Sequence, residues 1–116
     1  MGLSHMRGEA AEDLAVAYLE LIGCRVRARN VKIGGVEVDV LVSEGRDTVV
    51  VEVKYRSRSD YGGAAAAIDA AKRERLRRAA SALLWQGEPL VRIDVVTVEI
   101  APGEASVRHY RSAVTA

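Results

Sequence analysis

Asp39, Glu52 and Lys54 are the residues of this chain whose types and spacing could do chemistry. They lie on the segments Val36-Glu37-Val38-Asp39-Val40 and Val51-Glu52-Val53-Lys54, on either side of the turn Glu44-Gly45-Arg46-Asp47. Each segment alternates apolar and polar residues with period two. Each therefore reads as a half-buried strand, with Val38, Val40, Val51 and Val53 facing a core and the charges sharing the opposite face. A turn centred on Gly45-Arg46 pairs Ser43 with Thr48, and the same count sets Asp39 opposite Glu52 and Glu37 opposite Lys54. Cross-strand Cβ atoms lie roughly 4.5–5.5 Å apart, where like charges repel. Two opposed carboxylates call for a cation, and a hard divalent ion such as Mg²⁺ suits oxygen ligands better than zinc does. The residues alone leave a second reading equally open, a salt-bridge network exposed across the hairpin.

The order Asp, hairpin, Glu-x-Lys resembles the motif of restriction-type nucleases, and further blocks extend the likeness along almost the whole chain. They are Gly8 with Ala11-Glu12-Asp13, Tyr18-Leu19-Glu20 and Gly23, Asn30, Glu37-Val38-Asp39, Val51-Glu52-Val53-Lys54, Arg56, Tyr61-Gly62-Gly63-Ala64, Lys72 and Arg92-Ile93-Asp94-Val95-Val96. In these blocks the chain resembles the YraN-like (UPF0102-type) family, which is similar to restriction endonucleases and, distantly, to archaeal Holliday-junction resolvases. Two positions depart from the pattern. Val36 stands where the family usually has glycine, and Cys24 where an aromatic is common.

The resemblance implies an endonuclease of the PD-(D/E)xK type that uses Mg²⁺ or Mn²⁺ to hydrolyse phosphodiester bonds in DNA. Asp39 and Glu52 would be metal ligands together with the carbonyl of Val53, and Lys54 would orient the attacking water and offset charge on the phosphorane. Glu12 would bind a second ion or position water; the alternative is an acid stabilising the first turn of its helix. Glu37 would hold Lys54. The resolvase likeness adds a homodimer acting on branched DNA.

The elements that must position these residues follow from periodicity. A helix is expected from about Glu9 to Ile22, with Leu14, Tyr18, Leu21 and Ile22 at helical spacing and Gly23 as its stop. Cys24 to Arg29 reads as the first strand and the hairpin gives the next two. Ala64 to about Gln86 reads as a long helix with Ile68, Leu76, Leu83 and Leu84 available for packing. Leu90 to Glu99 and Val107 to Tyr110 complete the set after the Pro102-Gly103 turn. Strand, helix, strand from Val49 through Val98 implies a right-handed parallel crossover. The expected fold is α/β and restriction-endonuclease-like, a mixed β-sheet flanked by helices in the order αβββαββ.

With 116 residues the chain makes one domain, expected over residues 7–116, and the opening Met1-Gly2-Leu3-Ser4-His5-Met6 reads as an expression-vector remnant. With no phenylalanine, four tyrosines and one tryptophan, the core must be aliphatic and base-stacking platforms are scarce. The apolar runs are far short of a membrane span and no secretory signal precedes the first helix, so a cytoplasmic location is expected. Cys24, the only cysteine, reads as a buried structural thiol.

The net charge of +1 does not announce a nucleic-acid protein, but its distribution does more. Arg56, Arg58, Lys72, Arg73 and Arg77 crowd the stretch after the Glu-x-Lys strand and could hold DNA phosphates. Gly62-Gly63 would let backbone approach a phosphate at the next helix. A solvated helix face with local ion pairs is the bland alternative. Asp94 with Arg92 reads as a structural ion pair, and His109 as structural. Beside the endonuclease stand two other functions: a noncatalytic nucleic-acid-binding accessory that keeps the nuclease fold, and a protein-interaction module using the alanine-rich helix.

Overall fold

In the computed structural model, which describes residues 3–56 and 68–115, the chain runs α1 (Leu3–Leu21), β1 (Arg25–Ile33), β2 (Val36–Glu44), β3 (Asp47–Arg56), α2 (Ala70–Trp85), β4 (Val91–Ala101) and β5 (Glu104–Val114). This is the expected αβββαββ order. One five-stranded sheet carries the strands in chain order, parallel only between β3 and β4, where α2 makes the crossover. Both outer strands are longer than their apolar patterns suggested, because an edge strand needs apolar residues on one face only. Among the described residues no helix is long and apolar enough to cross a membrane.

The sheet is buried on both faces, and each helix covers one. On α1 the fully buried stripe is Ala11, Ala15 and Leu19, spaced by four, which packs on Val40, Val42, Val49, Val51, Val96 and Val98. Alanine at two of these positions lets the helix approach the sheet closely. Leu21, expected to pack, is 86% exposed. On the other face Leu76, Ala79, Ala80 and Leu83 of α2 pack on Val36, Val38, Leu41, Val50, Ile93 and Val95, with Ile68 beside them. Leu84 points away from this layer. α1 ends where Gly23 takes φ 101°, with Cys24 N–H donating to Leu19 and Gly23 N–H to Glu20. That is a Schellman stop, and it turns the chain into β1.

The β2–β3 hairpin has the expected register, from Glu44↔Asp47 through Ser43↔Thr48 to Val40↔Val51. The facing of β2 is different. Val36 and Val38 pack with α2, whereas Val40 and Val42 pack with α1, so the strand slips phase by one residue at Asp39. β1 slips at the matching place. Ala28 and Val31 touch the α2 layer, while Arg29 and Asn30 between them both reach α1, with Asn30 at φ 49°. Because both strands slip together, Arg29↔Val40 and Val31↔Val38 keep one register.

Beyond Val40 the sheet forks. β2 stays with β1 as far as Ile33↔Val36, and β3 stays with β4 as far as Arg56↔Glu99. Across the opening, Val53 N–H donates to the Asp39 carboxylate at 2.8 Å.

Candidate active site at the fork of the sheet

Asp39 stands at the point where β2 leaves β3, and its Oδ2 is held by the Val53 amide. Glu52 is next to it on β3, buried to 8% exposure among the valines on either side. Strand alternation turns Glu52 toward α2, where Lys72 Nζ lies 3.3 Å from its Oε2. The other oxygen, Oε1, is buried and has no hydrogen-bond partner. Burial pushes the Glu52 carboxyl up to about 7; the neighbouring Asp39 charge pushes the same way, and Lys72 only partly opposes them. The site therefore holds two crowded acids and one lysine, with an acceptor oxygen left over.

A cleft of about 560 Å³ opens from the fork on the α1 side, lined by Gly8, Glu12, Asp13, Arg29, Asn30, Asp39, Val53 and Tyr55 among others. Glu12 projects into it from the middle of α1. It is not in the first helical turn, so the helix-dipole reading does not apply. Its Oε1 receives Arg29 at 3.2 Å and Asn30 Nδ2 at 2.9 Å, and Arg29 also donates to Asp13 at 2.7 Å. Glu12, Asp39 and Val53 thus share one cleft, while Glu52 and Lys54 face the opposite side of β3. Asp39 joins the two halves.

Glu37 does not meet Lys54. Beyond the slip Glu37 is paired across β1 with Lys32, and it faces away from the α2 layer that Lys54 shares with Glu52. Among the described residues no group of three or more His, Cys, Asp or Glu side chains converges. Of the basic residues, Lys72 is engaged with Glu52, and Arg77 donates to the Thr115 carbonyl at 3.0 Å. Arg56 and Arg73 are half-buried, while Arg75 and Arg78 on α2 are exposed. Arg58, Gly62 and Gly63 lie outside the described residues. Arg29 and Asn30 carried no expected role; the positive φ that gives Asn30 its place has no signature in an alternating pattern.

A second acidic centre, on β4 and β5, is closed. Asp94 is fully buried. Its Oδ1 accepts Arg92 Nε and the Ser112 amide, both at 2.9 Å, and its Oδ2 accepts Arg92 Nη2 at 3.0 Å and His109 Nε2 at 2.7 Å. His109 Nδ1 is then the acceptor for the Tyr18 hydroxyl at 2.9 Å. Arg92 also reaches Glu44 at 2.6 Å and Asp47 at 2.5 Å. Burial raises the Asp94 carboxyl, but His109, Arg92 and the Ser112 amide together hold it below the usual value. Hydrogen bonds from Arg111 and Arg92 bring Glu44 down to about 2.

The profile of the family described as "Uncharacterised protein family UPF0102" matches residues 11–98. A UPF0102 protein of Halorhodospira halophila is 46% identical over 93 residues, covering 80% of this chain and 77% of its own. One from Dechloromonas aromatica is 46% identical over 94 residues, covering 80% and 78%. One from Neisseria meningitidis serogroup C is 39% identical over 102 residues, covering 85% and 89%. A solved structure, Pyrococcus furiosus SfsA in complex with Ca²⁺, matches at TM-score 0.38 and 16% identity, over 97% of this chain and 65% of that one.

Proposed function

We propose that this chain, which belongs to the uncharacterised protein family UPF0102, is a metal-dependent DNA endonuclease working at the fork of its sheet. The observation that carries this reading is Glu52, a buried acid beside a second acid with one oxygen unpartnered. A folded protein rarely leaves such an atom unsatisfied without a use for it. Hard cations take carboxylate and carbonyl oxygens, so the donor set of Asp39, Glu52 and the Val53 carbonyl fits Mg²⁺ or Mn²⁺. The ion would supply a water activated for attack and charge neutralisation at the scissile phosphate.

The chain's own residues have separate tasks. Asp39, clamped by the Val53 amide, presents its remaining oxygen at the fork. Glu52, pushed up to about 7 by burial and the neighbouring Asp39 charge, is ionised by positive charge placed beside it and would then serve as a ligand. Lys54, exposed two residues along the same face, is placed to meet a phosphate from solvent. Glu12 would hold a water or a second ion from the α1 side, and the exposed Arg75 and Arg78 would meet the DNA backbone.

Cleavage of labelled single-stranded, duplex, flapped and four-way-junction DNA with Mg²⁺ or Mn²⁺, comparing wild type with Glu52→Gln, tests the proposal. Metal-dependent cutting that disappears in the variant while DNA affinity is kept is the expected result. A second reading, a noncatalytic DNA-binding accessory, is favoured by Lys72 already serving as a counter-charge to Glu52. Binding without cutting, indifferent to metal, would decide for it.

A further inference from the structure

We propose that Asn30 is a positioning residue that fixes the Glu12 carboxylate in the cleft, an inference that rests on the nuclease reading and assigns it a new residue. Asn30 is one of two non-glycine residues with positive φ among the described residues. A left-handed residue inside a strand is uphill for any side chain, least so for asparagine, and persists where the surroundings over-determine it. Here the conformation has a visible result. It turns Arg29 and Asn30 to the same face of β1, where an alternating strand would separate them, and both donate to Glu12.

The contacts converge on one oxygen. Arg29 and Asn30 both donate to Oε1 of Glu12. Asp39, brought to the same face by the matching slip of β2, accepts the Val53 amide on Oδ2. Each acid thus has one oxygen held by neighbouring N–H groups, and both line the cleft they share. Arg29 divides its guanidinium between Glu12 and the exposed Asp13, so its hold on Glu12 alone leaves the rotation of that carboxylate loosely defined. The Asn30 side-chain amide, on a stem shorter than that of arginine, makes the 2.9 Å contact that defines it.

The test separates side chain from backbone. Glycine accepts the left-handed conformation without strain, so Asn30→Gly removes the amide and leaves the strand path intact. The full-length chain is measured as wild type, Asn30→Gly, Glu12→Gln and the double variant. The expected result is a kcat for cleavage lower by about 10- to 100-fold in Asn30→Gly, with KM and thermal midpoint unchanged. In the Glu12→Gln background the same substitution should have no further effect, because the amide acts through Glu12. Side-chain carbon relaxation by NMR should show the Glu12 carboxylate losing order in Asn30→Gly.

Unchanged Glu12 order and unchanged kcat would overturn the proposal. So would a fall in thermal midpoint with equal losses in both backgrounds, which would make Asn30 a structural residue only. If the wild type cuts no DNA, the nuclease reading fails by itself, and the Glu12 order measurement still decides whether Asn30 holds that acid.

Discussion

Asp94 and Glu52 are both buried acids on neighbouring strands of one sheet, and their surroundings treat them oppositely. Asp94 has a donor on every side and is held ionised below its usual range. Glu52 has one lysine on one oxygen, nothing on the other and a second acid at its flank, and is pushed up to about 7. Burial by itself therefore does not say what an acid is for. A network with every lone pair satisfied fixes β4, β5 and the hairpin turn together, whereas a half-satisfied acid holds back binding capacity. Each centre also has its own non-glycine left-handed residue, Ser112 donating its amide to Asp94 and Asn30 its side chain to Glu12.

The widest separation should come from deleting Asp94. Asp94→Ala leaves His109 Nε2 and the Ser112 amide without their acceptor and takes one of three carboxylates from the half-buried Arg92, and removing one partner of such a set costs about 3–5 kcal/mol of stability. Urea unfolding at pH 7 measures it. A loss below about 1 kcal/mol would mean that Arg92 is satisfied by Glu44 and Asp47 alone, and the contrast between the two centres would collapse.

The second effect is a pH dependence of opposite sign at the two centres. Glu52 is raised from 4.5 to about 7 on folding, so the native state binds the extra proton and this acid's contribution to stability falls as pH climbs from 4.5 through 7. The full excursion corresponds to about 3 kcal/mol at most. Glu44, lowered to about 2, contributes stability that is complete above 4.5 and is lost as pH falls toward 2. Unfolding midpoints followed from pH 2 to pH 8 should therefore rise and then fall. Glu52→Gln should abolish the fall and keep the rise. A variant that still declines between pH 4.5 and 7 would place the titration elsewhere.

These contrasts were only partly legible in the sequence. Period-two alternation and the Gly45-Arg46 turn carry the hairpin register, because a one-residue error there would bury charge. The parallel crossover follows from strand, helix and strand in sequence. The phase slip left no mark: Val36, Val38, Val40 and Val42 look like one continuous face, yet the first two pack on α2 and the last two on α1. In a sheet buried on both sides, valine satisfies either face, so the pattern cannot report which one it occupies. That ambiguity misplaced Glu37 against Lys54 and hid the grouping of Arg29, Asn30 and Glu12. The role of Lys72 was equally hidden, since one cation in a basic run looks like its neighbours until the fold brings it to an acid.

Lys72→Met should give a smaller effect than either change above. Lys72 is the counter-charge that restrains Glu52 from rising further, and both side chains are mostly covered, at 27% and 10% exposure. Its loss should cost about 1–2 kcal/mol at pH 8, between the values for exposed and buried pairs. At pH 5, where Glu52 is already protonated, the cost should nearly vanish. A loss of equal size at both pH values would assign it to packing of the lysine stem against β3 and would remove Lys72 from the electrostatics of the fork.

Arg111→Ala should have the smallest effect, and it tests how far the closed network extends. Arg111 is half exposed and makes two hydrogen bonds to Glu44, at 3.1 and 2.9 Å. Glu44 keeps Arg92 when Arg111 is gone. Water replaces an exposed guanidinium at little cost, so the change should stay within about 1 kcal/mol by urea unfolding at pH 7. It should nonetheless be visible at acid pH, since Arg111 is the first cause of the low Glu44 value, and the acid limb of the stability profile should move up in pH. A loss as large as that of Asp94→Ala would show that Arg111, Glu44, Arg92 and Asp94 respond as a unit. The line between structural and functional acids would then run at the protein surface, with Arg111 on the structural side.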